Sequence, residues 1–453
     1  MEQSNKKLAL LSSTPIPKAL MALGIPIMIG MLINAFYNLV DAYFVSGLGD
    51  TSMGAISIVF PLGQVIVGLG LMFGNGAASY LSRLLGKNDR KTANEVASTA
   101  LYSSLFLGAI IIILITLFLR PILGMLGATT SIMPYAMSYA RIFVVSCIFN
   151  VFNVSMNNIA ASEGAAKTAM SALLLGAVLN IILAPIFIYT LGMKVAGAAI
   201  ATTIAQCAST LLYLRYILQK KSSFGFKLTD FRWSKQLYSE ILKIGIPTLV
   251  FQVLTSLSIA LINRSAKQYG DAVIAAMGAV TRVTTMGTLV VFGFLKGFQP
   301  IAGFSYGAKN FNRLREAIKT SIYWSTIFCV VTGLLMALLS KQIIVQFANG
   351  NTDMILAGEK SFVANGFSFF LFGFYTVYSS LFLALGKGTA GFILGACRQG
   401  ICFIPVIFIL PSLWGINGVL YAQPIADVLT ALVTVIMARQ LHKALSLSEA
   451  DIQ

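Results

Sequence analysis

The sequence predicts an all-α integral membrane protein: twelve transmembrane helices in two parallel six-helix repeats, an N-lobe and a C-lobe, around a central cavity. Three observations predict it. The 453-residue chain is 57% hydrophobic and only 10% charged, whereas a soluble protein carries about a quarter charged residues. Apolar runs of about 20 residues, each long enough to cross a bilayer as a helix, recur along its whole length. Sequence landmarks also return at one fixed offset.

The runs fall at 17–46, 53–79, 96–119, 135–160, 168–190, 194–218, 239–263, 273–299, 317–340, 359–385, 391–412 and 416–440. The connections between them alternate in charge. Lys6, Lys7 and Lys18 precede the first run, and Arg83, Lys87, Arg90 and Lys91 follow the second. Lys167 follows the fourth, and the cluster Lys220, Lys221, Lys227, Arg232 and Lys235 follows the sixth. Lys309, Arg313 and Arg315 follow the eighth, Lys387 the tenth, and Arg439 and Lys443 lie near the end. The other set is poor in Lys and Arg, with Arg264 and Lys267 the main exceptions. Basic loops stay cytoplasmic, so both termini are expected inside a cell (inner, cytoplasmic) membrane. That placement accounts for most of the net charge of +17 and excludes a nucleic-acid partner, since no aromatic-basic motif accompanies it. The N-terminus runs into a segment too long for the core of a signal peptide, so no cleavable leader is expected.

The halves repeat. "GIP" at Gly24 returns at Gly245. Gly49–Asp50 returns as Gly270–Asp271, Gly86 as Gly307, Glu95 as Glu316 and Gly197 as Gly418, all at that same offset. Each copy holds an even number of spans, so both enter the membrane from the same side, as in transporters whose lobes rock about a shared site. The expected division is an N-lobe at 1–218, a cytoplasmic linker at 219–238, a C-lobe at 239–441 and a tail at 442–453. Pro26 and its mate Pro247 permit bends early in spans one and seven.

Enzyme chemistry finds no footing. The five cysteines all lie in apolar runs without metal spacing, and the sole histidine, His442, lies in the tail. "GLGLMFGNG" sits inside a span and lacks the strand–turn–helix setting of a nucleotide fingerprint. No Walker lysine motif is present, so ATP does not drive this chain. Of the fifteen acids, only Asp41 and Asp427 fall inside spans.

Asn34, Tyr37, Asn38 and Asp41 recur at i, i+3, i+4 and i+7, one stripe of a helix. Such a stripe faces the bundle interior, and intramembrane acids are functional by default. Burial disfavours the anion and nearby amides and hydroxyls favour it, which leaves Asp41 suited to take a proton or a sodium ion from outside. The blander alternative is a helix–helix contact near the outer surface. Asn150, Asn153 and Asn157 share a face of span four; Asn180 lies in span five, and Thr202, Thr203 and Gln206 in span six. Each could ligate an ion or simply join helices. Asp427 is the mate of Gln206, and a paired structural role with Arg398 or Lys296 is expected. A large apolar and aromatic cavity is expected to draw on Met31, Asn34, Asn153, Gln206, Phe251, Tyr378 and Arg398, with Phe36, Phe60 and Met72 as further candidates.

"GIPIMIGMLINAFYNLVDAYFVSGLGD", "NN…EG" at 157–164, "LNIILAPIFIYTLGMKVAGAAIAT" and "GFQPIAGFSYGAKN" together resemble the multidrug and toxic compound extrusion (MATE) family, in its DinF-like and MepA-like branch. The resemblance covers essentially the whole chain. It implies export of small, lipophilic, often cationic organic compounds across the lipid bilayer in exchange for H+ or Na+. No other cofactor and no resident metal is implied, and a monomer is expected. It places the coupling site in the N-lobe at Asp41, Tyr139, Asn180 and Thr202, which we extend to Tyr37, Asn38 and Asn157. The chain departs from the pattern at Ala184, where members usually carry an aspartate, and at Ala161, where they often carry an arginine. The mate of Asp41 is Ile262, so the second lobe lacks the acid that other branches place in span seven. A single carboxyl suits a proton better than sodium. A lipid-linked glycan flippase of the same superfamily is the alternative; it needs a strongly cationic cavity, for which Arg264, Arg282, Lys296 and Arg398 are few.

Overall fold

The computed structural model describes residues 2–48, 50–348 and 350–450; the side chains of residues 2–5, 38, 42, 46, 50, 51, 53 and 446–450 lie outside the description. The first half contains α1 (Glu2–Ser12), α2 (Ile16–Ser46), α3 (Asp50–Gly86), α4 (Arg90–Leu117), α5 (Leu119–Met125), α6 (Met133–Ser162), α7 (Ala166–Pro185) and α8 (Lys194–Leu218). The second contains α9 (Lys235–Lys267), α10 (Asp271–Gly307), α11 (Phe311–Leu338), α12 (Ser340–Ala348), α13 (Thr352–Ala384), α14 (Gly388–Ala396), α15 (Phe403–Trp414) and α16 (Ile416–Ala450). Two π-turns interrupt this order: Ile186–Thr190 continues α7, and Cys397–Ile401 joins α14 to α15 as one broken span. Among the described residues, twelve spans are long and apolar enough to cross a membrane, as expected. Most helices overrun their apolar cores because the polar turns at each end stay helical beyond the hydrocarbon. The same effect absorbs the expected tail: α16 continues to Ala450.

The repeat is visible in local geometry. Asp89 caps α4 by accepting from the Thr92 amide at 3.1 Å, and its repeat mate Asn310 caps α11 by accepting from the Arg313 amide at 3.0 Å. Each cap satisfies an orphan amide of a first turn. The Thr92 hydrogen bonds hold the Asp89 carboxyl below its ordinary range. The residues just before, Asn88 and Lys309, both turn the chain with positive φ, at 59° and 56°. The short helices α5 and α12 begin at Leu119 and Ser340, again one repeat offset apart.

The halves meet along a seam built on glycine. A Cβ at Gly86 would run into the Phe304 carbonyl oxygen, and one at Gly307 would run into the Arg83 carbonyl oxygen. Each contact is the image of the other under the repeat, which places a pseudo-two-fold axis between α3 and α10. Further toward the middle, Gly76 abuts Ile241, Gly245 abuts Met72, Gly297 abuts Gly24 and Gly293 abuts Met28. All these positions lie at the end holding both termini and the segment between the halves, here the linker end. At the far end Gly270 and Gly278 face open space, and Phe36, Tyr43, Phe60, Val253 and Met286 are exposed. The lobes therefore touch at the linker end and part toward the far end.

Polar groups fasten the same end. Arg83 on α3 pairs with Glu240 on α9 at 3.0 Å, and the Ser79 hydroxyl donates to the Leu383 carbonyl at 2.5 Å. Helix α1 bridges both halves. Arg313 Nε donates to the Leu11 carbonyl at 2.9 Å, and Lys7 Nζ lies 3.7 Å from Glu163. Glu163 is buried and also accepts from the Tyr216 hydroxyl at 2.5 Å, the Ser222 hydroxyl at 3.1 Å and the Ser223 amide. Burial pushes the Lys7 ammonium down from its ordinary value, and Glu163 opposes that shift. The chain between the lobes is itself packed on α4, where the Gly225 amide donates to Asn94 at 2.8 Å and Tyr102 donates to the Phe226 carbonyl at 2.8 Å.

Replacing Gly307 by Ala should force a backbone apart and lower stability by about 1–3 kcal/mol. Gly124, with nothing within 4 Å of its would-be Cβ, should accept Ala without loss. Thermal unfolding of the two variants in detergent checks both, and equal melting temperatures would contradict the seam.

Candidate functional site

Asp41 lies on α2 toward the far end. Its side chain is half-buried and its Oδ1 is sealed from solvent without a hydrogen-bond partner among the described residues. Tyr37, one turn earlier, and Tyr139 on α6 share its electrostatic neighbourhood. Tyr139 is buried and stacks on Phe143 with ring centroids 5.3 Å apart.

Helix α7 runs parallel to α2 and fixes the level of the site. Gly30 sits against Leu173, and the Tyr189 hydroxyl donates to the Phe44 carbonyl at 2.5 Å. Interpolating between these contacts puts Asp41 level with residues 184–186 and Tyr37 level with Asn180. Asn180 Nδ2 donates to the Thr202 hydroxyl on α8 at 3.0 Å, while its Oδ1 is buried with no partner among the described residues. Ala184 is fully buried and shares a core cluster with Val45, Tyr139 and Ala201. The family's expected second acid would therefore stand in the same layer as Asp41. Asp41, Tyr37, Tyr139, Asn180 and Thr202 line one end of the N-terminal half, with two unpartnered oxygens among them. The Asn38 side chain lies outside the described residues, and Asn34 is half-buried on the same stripe.

Asn157 does not join them. It stands five helical turns beyond Tyr139 on α6, about 27 Å at helical rise, and donates to the Tyr213 hydroxyl at 3.1 Å. Asn153 donates to Gln206 Oε1 at 2.8 Å and accepts from the Thr210 hydroxyl at 3.0 Å. These asparagines join α6 to α8, the helix-joining alternative weighed for them.

The cavity candidates divide. Phe36 and Phe60 are exposed toward the open far end, and Phe251 sets its edge against Phe292 at 6.3 Å. Met31 packs against the large core cluster and Met72 is buried at the seam. Tyr378 is buried and bonds His442 at 2.9 Å, which removes it from the cavity wall. A helix stripe read without its neighbours does not distinguish these faces.

In the second half, Asp427 is buried and saturated. Its Oδ1 accepts from Arg398 Nε at 3.0 Å, Gln423 at 3.0 Å and Tyr375 at 3.2 Å, and its Oδ2 accepts from Ser368 at 3.2 Å. The Arg398 guanidinium, carried on the π-turn, also covers the Phe372 ring at 4.8 Å. The pairing expected for Asp427 is thus with Arg398, and it neutralises the arginine that a cationic cavity would need. Lys296 instead donates to Asn158 at 3.0 Å. Sequence reasoning missed the groups fastening the linker end. Arg83 and Glu240 are 157 residues apart, and no local spacing links them.

The MatE family profile matches residues 26–186 and 247–409, two segments whose starts are set apart by the repeat offset. The chain is 29% identical over 438 residues to the multidrug export protein MepA of Staphylococcus saprophyticus, covering 96% of each. It is also 29% identical to MepA of Staphylococcus aureus over 451 residues, 99% of each chain. The fold superposes with a TM-score of 0.92 on an outward-facing multidrug resistance MATE family transporter of the MOP superfamily, 29% identical and covering 97% of this chain and 99% of that one.

Breaking the Arg398–Asp427 pair from one side should destabilise the protein by about 3–5 kcal/mol, because the other charge stays buried. Arg398→Met should therefore melt well below wild type, and Arg398→Met with Asp427→Leu should recover part of the loss. A double variant less stable than the single would remove the pairing argument.

Proposed function

We propose, from the premise that this chain belongs to the MatE family, that it is a multidrug efflux antiporter. It exports lipophilic organic cations by alternating access and is driven by protons bound at Asp41. The observation that carries the reading is the sealed, unpartnered Oδ1 of Asp41, facing a helix whose Asn180 presents a second unpartnered oxygen. Among the described residues no His, Cys, Asp or Glu cluster could hold a metal ion, and no catalytic role is assigned to any residue.

The mechanism follows from what a proton changes. As an anion, Asp41 only accepts hydrogen bonds; once protonated, it also donates. Asn180 Oδ1 is an unpartnered acceptor on the neighbouring helix, about one turn nearer the linker end, level with Tyr37. Protonation from the far side therefore permits a new α2–α7 hydrogen bond and removes a charge from the cavity wall. An organic cation held there loses its counter-charge and leaves toward the far side. The proton shifts the lobes only to the extent that it binds one arrangement more tightly than the other. Sodium could use the same oxygens, but Ala184 supplies no second carboxylate.

Asp41→Asn should keep its fold and lose gradient-driven transport. In proteoliposomes carrying a fluorescent cation, imposing a proton gradient should drive efflux at least tenfold faster for wild type than for the variant. Full activity in Asp41→Asn would sink the assignment, and wild-type efflux that follows a sodium gradient alone would transfer it to sodium. Ala184→Asp should create a two-carboxylate layer. We expect it to melt below wild type in sodium-free buffer, because Ala184 is fully buried, and to be raised by several degrees on adding sodium. No response to sodium would show that residue 184 does not face Asp41.

A further inference from the structure

A small cavity with a mixed lining lies inside the seam, its walls including the apolar Ile244, Pro300 and Leu383. Asn75 and Ser79 from α3, Asn158 and Ser162 from α6, and Lys296 and Gln299 from α10 line it. Its volume is about 20 Å³, above the ~10–15 Å³ that one water-sized occupant needs. Close contacts flank it in both directions along the axis. Toward the far end Gly68 meets Leu249 and Gly293 meets Met28; toward the linker end Gly303 meets Ser82 and Gly307 meets Arg83. Lys296 is the repeat mate of Asn75, so mates line one cavity and the cavity lies on the pseudo-two-fold axis.

Its chemistry is donor-rich. The Lys296 ammonium has three protons to give and spends one on Asn158 Oδ1 at 3.0 Å. Among the described residues no carboxylate pairs with it, and Asn75 and Gln299 make no side-chain hydrogen bond. Asp427, the buried acid of the second half, is committed to Arg398. A half-buried ammonium without a counter-charge is costly inside a membrane. One small anion offsets that cost, accepting from Lys296 and from the free amides.

We infer that this cavity binds one monovalent inorganic anion of chloride's size between Lys296, Asn75 and Gln299. The anion is occluded while the lobes are closed at the linker end, and it stabilises that arrangement. The inference rests on the seam and stands whether or not Asp41 carries protons.

The test uses the purified full-length protein at constant ionic strength, with chloride replacing gluconate. Wild type should show a saturable rise in melting temperature of several degrees with chloride. Lys296→Gln should lose the rise, and Asn75→Ala should need a severalfold higher chloride concentration for half the effect. Crystals grown in bromide should show one anomalous peak within about 3.5 Å of Lys296 Nζ. Equal melting temperatures in chloride and gluconate, an undiminished rise in Lys296→Gln, or no bromide peak at the cavity would each overturn the site. If Lys296→Gln fails to fold, the bromide experiment on wild type decides alone.

Discussion

The close approach of two backbones at the seam is the constraint on which the rest depends. Lipid offers no hydrophobic drive for two apolar lobes to associate, so contact there relies on close packing of small residues and on hydrogen bonds. Gly24, Gly76, Gly245, Gly293, Gly297 and Gly307 supply the first, since a Cβ at any of them would meet a neighbour's atoms within 3.1 Å. Arg83–Glu240 and Ser79–Leu383 supply the second. Because these contacts gather at one end, the lobes are left apart at the other, and the α2 stripe with Asp41 lies in the half that the seam does not cover. Helix α1 reinforces this arrangement by holding Glu163 of one half and Arg313 of the other.

The two halves treat the acids within their spans in opposite ways. Asp427 has four donors, one of them its arginine partner, and such a saturated pair holds its surroundings in one arrangement. Asp41 has an unpartnered oxygen, an alanine in the facing layer and an isoleucine as its repeat mate. A fully bonded acid gains little from a proton and would lose its ion pair on taking one. An under-bonded acid gains a donor and sheds an unpaired charge. The asymmetry follows from bonding alone, and it concentrates any proton response in the first half.

The spans and the repeat were legible in the sequence because hydropathy and a constant offset between matching landmarks are one-dimensional signals. The Asp427–Arg398 pair was also within reach, since few charges lie in the spans and fewer can meet. The fastenings at the linker end were not, because Arg83 and Glu240 meet across lobes and α1 is polar enough to pass for a loose terminus. Face assignments failed for a related reason. Asn157 and Asn153 occupy one stripe with Asn150, and nothing local tells that α8 offers Tyr213, Gln206 and Thr210 to that stripe. Tyr378 reads as a cavity aromatic until α16 is seen to carry His442 past the end of the expected span.

Helix α2 joins the two regions mechanically. Its outer half carries Asp41, and its inner half carries Gly24 and Met28, which touch Gly297 and Gly293 at the seam. Pro26 lies between those two contacts and removes a backbone donor there, so the helix can bend at the point where the lobes meet. A new α2–α7 hydrogen bond at the far end would pull on a helix anchored at the seam and able to bend beside that anchor. Bending at Pro26 strains the Gly24 and Met28 contacts first, because a glycine contact tolerates no displacement toward its partner. Under the proposed mechanism, a proton bound at one end of α2 would act on the lobe contact at the other through a single helix, without any longer chain of residues.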